Sequence, residues 1–231
     1  MKRVAPVVFS LLAVVFVLPV IATILLSFSN GFQGYIDLFF DCFVFYPMFW
    51  NSVIYAAVIT IVQLLVIIPC AFGFSQAEFK GKGVLFTFYI VLMMMPLQVT
   101  ILPNYIGLRD MGLIDTPFGI ILPMIFSPFG VVVMHQYMKN INNSVIEATR
   151  LETSSVIRVM LTSVIPQMRV CVFAVVLFTF ADCWNMVEQP MLFLKDDSLK
   201  TLSVFITNAQ NYEGDVLFPA AVIFIIPVLL L

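Results

Sequence analysis

No Asp, Glu, Lys or Arg occurs between Arg3 and Asp37, between Asp41 and Glu78, or between Lys82 and Arg109. Uncharged runs of this length constrain the fold more than any other feature, because a helix needs about 20 mainly apolar residues to cross the hydrocarbon core of a bilayer. Six segments meet or approach that length, at about residues 4–28, 49–74, 84–103, 117–138, 170–194 and 216–231. The first is too long, and too poor in a small-residue cleavage site, to be a removable signal peptide. The last is short and still apolar at Leu231, which leads us to expect more of that span beyond it. Composition agrees: 62% of residues are hydrophobic and 10% charged, against roughly a quarter charged in a soluble domain. The expectation is an all-α, polytopic membrane protein forming one transmembrane domain over residues 1–231.

Pro69, Pro96, Pro123 and Pro128 fall inside or beside these spans. Each removes a backbone donor, and in a membrane the freed carbonyl must be satisfied by a neighbouring helix or a hydroxyl. Orientation follows from the basic residues. With the N-terminus inside, the inner segments hold Lys2, Arg3, Lys80, Lys82, Lys139, Arg150, Arg158 and Arg169, against Arg109, Lys195 and Lys200 outside. Eight against three favours a cytoplasmic N-terminus in a bacterial cell membrane. The formal net charge of −2 gives no reason to expect nucleic acid as a partner. Cys42, Cys70, Cys171 and Cys183 are widely separated and read as small apolar residues; neither metal nor cofactor is expected.

The connection 139–168 is the longest inner one and has a helical pattern of its own. Ser144 and Glu147 have the S-x-x-E spacing of a capping box, and Thr153-Ser154-Ser155 offers a break with a new N-cap. Ile157, Met160, Leu161 and Val164 then fall on one helical face, before Pro166 leads into the fifth span. Within that span Asp182, Asn185 and Gln189 recur at i, i+3 and i+7, with Glu188 beside them. Polar groups at that depth are costly and face a cavity or a partner helix, so a solute path and interhelical packing both remain open for them. Gln98 and Thr100 are weaker candidates for the same path, and Trp184 and Phe180 could stack on the ring of a solute.

At these residues the chain resembles the permeases of binding-protein-dependent ABC importers, especially the carbohydrate branch that includes the second maltose permease subunit. The family's EAA signature runs E-A-A, then D-G-A two residues later, then an apolar stretch ending in L-P. Here the string is Glu147-Ala148-Thr149, Glu152-Thr153-Ser154 and Ile165-Pro166. Threonine replaces the usual glycine, so the turn must form without the residue that most freely takes positive φ. The resemblance extends over Phe49 to Ala57, Met95-Pro96 to Pro103, Gly112-Leu113 and Phe178 to Asn185.

It implies six spans and a cytoplasmic coupling loop in which Glu147, Ala148, Arg150, Glu152, Thr153, Ser154 and Pro166 meet a separate ATPase. For Glu147 the bland alternative is the capping box alone, and for Arg150 and Arg158 the positive-inside bias. The other implied partners are a second permease subunit, identical or homologous, an extracytoplasmic solute-binding protein and a sugar or oligosaccharide. The chain has no G-x-x-x-x-G-K-[ST] string, so ATP hydrolysis would belong to another subunit. A permease for another small solute is the alternative. A secondary transporter would call for an internal repeat, and an intramembrane enzyme for a metal cluster or catalytic constellation; neither pattern is visible, and no catalytic residue is expected.

Overall fold

The computed structural model describes residues 4–141, 143–212 and 214–230, with side chains from Ala13 onward except that of Asn143. The regular elements among the described residues are all helical. In chain order the ones that shape the molecule are α1 (Val4–Ser27), α2 (Phe45–Gln76), α3 (Lys82–Met93), α4 (Leu97–Asp110), α5 (Pro117–Ile125), α6 (Pro128–Met138), α7 (Asn143–Glu152), α8 (Val156–Gln167), α9 (Arg169–Trp184), α10 (Glu188–Phe193), α11 (Leu202–Thr207) and α12 (Leu217–Leu230). The helix α2 and the combined segment Pro117–Met138 are long and apolar enough to cross a membrane, and α1 and α12 are apolar throughout.

The organising element is α2. Its buried residues include Met48, Ser52, Tyr55, Ile59, Gln63, Ile67 and Ala71, a stripe recurring every three or four positions. Trp50, Ile54, Ile61 and Leu65 on the other side are exposed. Polar Ser52 and Gln63 are thus inside while large apolar side chains face out, the reverse of a soluble amphipathic helix and the arrangement that suits lipid. Helices α5, α6, α9 and α11 pack on α2, α3 packs on α6, and α1 packs on α12. The buried side chains fall into two clusters. One gathers Leu38, Met48, Trp184, Phe193 and Phe205; the other gathers Ile67, Phe72, Met134, Met138, Val159 and Met168.

Close approach at two points depends on glycine. A Cβ on Gly130 would run into Ile67 Cδ1, and one on Gly119 would lie 2.8 Å from the Leu113 carbonyl oxygen. The connections near the first cluster are knit by polar contacts. Ser52 Oγ accepts from the Leu202 amide at 2.8 Å, Asn51 Nδ2 donates to the Ser198 carbonyl at 2.7 Å, and the Tyr55 hydroxyl donates to the Leu199 carbonyl at 3.0 Å. Asp115, left-handed at φ 63°, donates its amide to the Phe193 carbonyl at 2.8 Å. Its Oδ1 accepts from the amides of Lys195 at 2.8 Å and Asp196 at 2.9 Å.

Two of the expected spans are broken, and one expected face needs correction. The stretch 84–103 bends at the proline within it: α3 and α4 meet at 102° around Met94–Pro96, where Pro96 cannot donate to a continuing ladder. The stretch 170–194 is also interrupted, between Trp184 and Glu188. The proposed apolar face in α8 is rotated. Met160 and Val164 are buried, but Ile157 and Leu161 are 65% and 58% exposed. The burial lies instead on Val159, Met160, Ser163 and Val164, a stripe of ordinary helical spacing that runs into a π-helical turn over Met160–Val164.

Candidate functional site

Two regions carry the polar residues singled out by the sequence. The first is the α7–α8 pair. Helix α7 starts at Asn143, so Ser144 and Glu147 both lie near its amino end; the Ser144–Glu147 cap bears on residues that are partly outside the described ones. The second cap is as expected: Ser155 Oγ accepts from the Arg158 amide at 3.4 Å, and Thr153 Oγ1 accepts from the Ser155 amide at 3.2 Å. The turn at Glu152–Ser154 forms without positive φ: among the described non-glycine residues Asp115 alone has it. Threonine at 153 is therefore compatible with the local backbone.

The pair is anchored rather than free. A hydrogen bond of 2.5 Å joins Thr149 Oγ1 to Ser163 Oγ, and Ile146, Val159 and Val164 are buried with Phe72 and Met138 in the second cluster. Pro166 is in the last turn of α8, which meets α9 at 85°. Glu147, Ala148, Arg150, Glu152 and Ser154 are exposed, while Thr153 is half-buried. Leu151 is 91% exposed, and Val156 and Ile157 are also exposed. A cavity of about 350 Å³ opens between Phe72, Arg150, Thr153, Ser154, Val156 and Val159. A rigid helix pair with an uncovered mixed surface can transmit a push to α6 and α9, between which it is tethered.

The second region is a pair of adjoining cavities of about 540 and 530 Å³. Leu97, Met124, Asp182 and Gln189 line both; Gln63, Thr100, Asn104 and Ser127 line the first, and Asn185 and Glu188 the second. Asp182, Asn185, Glu188 and Gln189 are thus brought together, although not on a continuous helical face. Helix α9 ends at Trp184, Asn185 caps it, and α10 restarts at Glu188. The Asn185 amide group folds back to donate to the Ala181 carbonyl at 2.8 Å. Gln189 is 7% exposed, and its Oε1 has no hydrogen-bond partner. Gln98 is exposed at the start of α4 and is not among the residues lining these cavities, whereas Thr100 is.

Trp184 does not offer its ring to a solute. It is 1% exposed, stacks between Phe180 at 5.4 Å and Phe224 at 5.6 Å, and donates to the Phe224 carbonyl at 3.0 Å. The residue that sequence reasoning missed is Gln63. Its Nε2 donates to the Met124 carbonyl at 2.7 Å. That carbonyl would have paired with the amide four residues on, but residue 128 is proline and has none. Thr179 Oγ1 in turn donates to Gln63 Oε1, so one side chain joins α2, α5 and α9 behind the cavity. The available signal was a lone glutamine amid the apolar run 53–74, near a proline-rich helix.

The family model described as "Binding-protein-dependent transport system inner membrane component" matches residues 68–231. The chain is 25% identical over 204 residues to the arabinooligosaccharides transport system permease protein AraQ of Bacillus subtilis, covering 87% of this chain and 73% of that one. It is 23% identical to the same-named protein of Halalkalibacterium halodurans, covering 96% and 88%. The sn-glycerol-3-phosphate transport system permease protein UgpE of Brucella abortus is 24% identical, covering 79% and 67%. In fold, a chain of a bacterial ABC transporter involved in the import of the acidic polysaccharide alginate superposes with a TM-score of 0.89 at 21% identity, covering 99% of this chain and 92% of that chain.

Proposed function

Because the chain belongs to the family of inner membrane components of binding-protein-dependent transport systems, a family of transport permeases rather than enzymes, we propose that it is the sugar- or oligosaccharide-translocating subunit of an ATP-driven importer. In this reading it has six spans, its N-terminus and the 139–168 connection are cytoplasmic, and α7–α8 docks on a separate ATPase. A second permease subunit completes the pathway, and an extracytoplasmic binding protein delivers the solute. ATP-driven closure of the ATPases rocks the permeases between inward- and outward-facing states, since a separate subunit can shift the equilibrium only through a contact that differs between them. The names of the arabinooligosaccharide relatives support the sugar assignment.

The observation that carries the coupling assignment is the uncovered surface of Glu147, Ala148, Leu151, Val156 and Ile157 on a helix pair buried on its other side. An anchored element with a 91% exposed leucine at its tip suits a partner better than water. The test compares Glu147→Gln with Glu147→Lys in the complete importer at matched expression. Charge reversal is expected to lose more than the ~1 kcal/mol of a helix-end effect, because it places an unpaired charge in a contact. ATPase co-purification and sugar uptake are expected to fall much further in Glu147→Lys. Near-normal values for both variants would remove Glu147 from the docking surface.

A further inference from the structure

Resting on the reading of the paired cavities as the solute path, we infer that they act as a charge filter that rejects anions and passes an uncharged, hydroxyl-rich solute, with Asp182 setting the preference. The lining residues include two carboxylates, Asp182 and Glu188, and no Lys or Arg among the described residues. The described cations lie elsewhere. Lys80, Lys82, Lys139, Arg150, Arg158 and Arg169 are in or beside the 77–82 and 139–169 connections, and Arg109, Lys195 and Lys200 are in those of the opposite side. Helix ends do not reverse the sign. The amino ends of α4, α6 and α10 each bring about half a positive charge, and the carboxyl ends of α3, α5 and α9 each about half a negative one. They cancel to first order, and the carboxylates remain.

Hydrogen bonding points the same way. An anion needs donors, and several lining donors are already committed: Gln63 Nε2 to the Met124 carbonyl at 2.7 Å, Asn185 Nδ2 to the Ala181 carbonyl at 2.8 Å, and the Thr100 hydroxyl to the Leu97 carbonyl at 3.0 Å. Among the fully buried lining atoms the one left unpaired is an acceptor, while the partly exposed Asn104 amide stays open as a donor. Gln189 Oε1 is buried, lines both cavities and lacks a donor. A buried acceptor without a partner is costly, and a sugar hydroxyl repairs it whereas a phosphate or carboxylate oxygen cannot. Asp182 offers further acceptor positions, and its charge opposes any solute carrying a phosphate or uronate group.

The test reads the local potential directly in membrane vesicles holding the complete importer. A cysteine is placed in the first cavity by Thr100→Cys, and its reaction rates with the cationic ethyltrimethylammonium and the anionic ethylsulfonate methanethiosulfonates are measured. Each rate is divided by that with a free thiol and corrected for the chain without the added cysteine. The cationic reagent is expected to be favoured by about tenfold or more, and Asp182→Asn to bring the ratio back towards one. Glu188→Gln, and raised salt in the unaltered carboxylate background, give the same direction should Asp182→Asn fail to assemble. Equal rates or an anion preference overturn the filter while leaving the path intact. A cysteine that neither reagent reaches from either face overturns the path and the filter together.

Discussion

Replacing Gln63 by leucine keeps most of the buried volume and removes two hydrogen bonds, so its cost measures how a proline break is tolerated inside the bundle. The two lost bonds are not equivalent. Thr179 can turn its hydroxyl to a carbonyl in its own helix, the usual resort of an intrahelical threonine. The Met124 carbonyl has no such resort, because Pro128 lacks the amide that would cap it. Side-chain hydrogen bonds between membrane helices average about 0.6 kcal/mol, while an orphaned buried group costs about 1–3 kcal/mol. Gln63→Leu is therefore expected to destabilise by about 2 kcal/mol, mostly through Met124. Equilibrium unfolding in mixed detergent and SDS micelles supplies the measurement. Pro128→Ala restores a donor four residues after Met124, so the same Gln63→Leu change in that background is expected to cost about 1 kcal/mol less. An identical cost in both backgrounds would refute the proline-rescue argument.

Gly119→Ala separates intrinsic preference from packing. Helix propensity alone favours alanine by up to about 1 kcal/mol, but the added Cβ would sit 2.8 Å from the Leu113 backbone oxygen. Net destabilisation of about 1–3 kcal/mol is expected in the same unfolding assay; a stabilised variant would mean that the α5 approach is looser than described. The staple at Asp115 should be acid-sensitive. The amides of Asp196 and Lys195 hold its carboxyl below the ordinary aspartate value, so its contribution is present above the unfolded value of about 3.9 and is lost as pH falls through the lower folded value. Hydrogen exchange at the Lys195 and Asp196 amides, corrected for intrinsic rate, is expected to rise in that acid window. In Asp115→Asn that pH dependence should vanish, and its persistence would assign it to another group.

Much of the fold was legible because apolar runs without charge leave few choices: the boundaries of α1, α2 and α12 lie close to those expected. What could not be read was where helices stop within such runs. The chain stays uncharged through Phe126–Ser127 and Met94–Pro96, and Pro128 and Pro96 mark a bend there without giving its size or telling a kink from a stop. The face of α8 was misjudged because apolar residues lie on more than one side of it, so spacing alone does not say which side is buried. The grouping of Asp182, Asn185 and Gln189 came out of a helical spacing that is not continuous. They meet across the break between α9 and α10, not because one continuous helix presents them.

These interruptions share a location, and that gives them a common physical explanation. Phe126–Ser127 lines the first cavity, Asn185–Val187 lines the second, and Met95 and Leu97 from the α3–α4 bend line the first. In hydrocarbon an opened helix leaves carbonyls and amides with nothing to bond, so irregular backbone is tolerated only where protein or a water-bearing cavity meets it. Gln63 supplies the protein answer at Met124, and Ser127 Oγ supplies another by accepting from the Gly130 amide at 3.2 Å. The prolines therefore do more than bend the bundle. They concentrate unpaired backbone at one level, and that level becomes the polar cavity. A path for a hydrated solute needs such a place, and a bundle of unbroken apolar helices would not contain one.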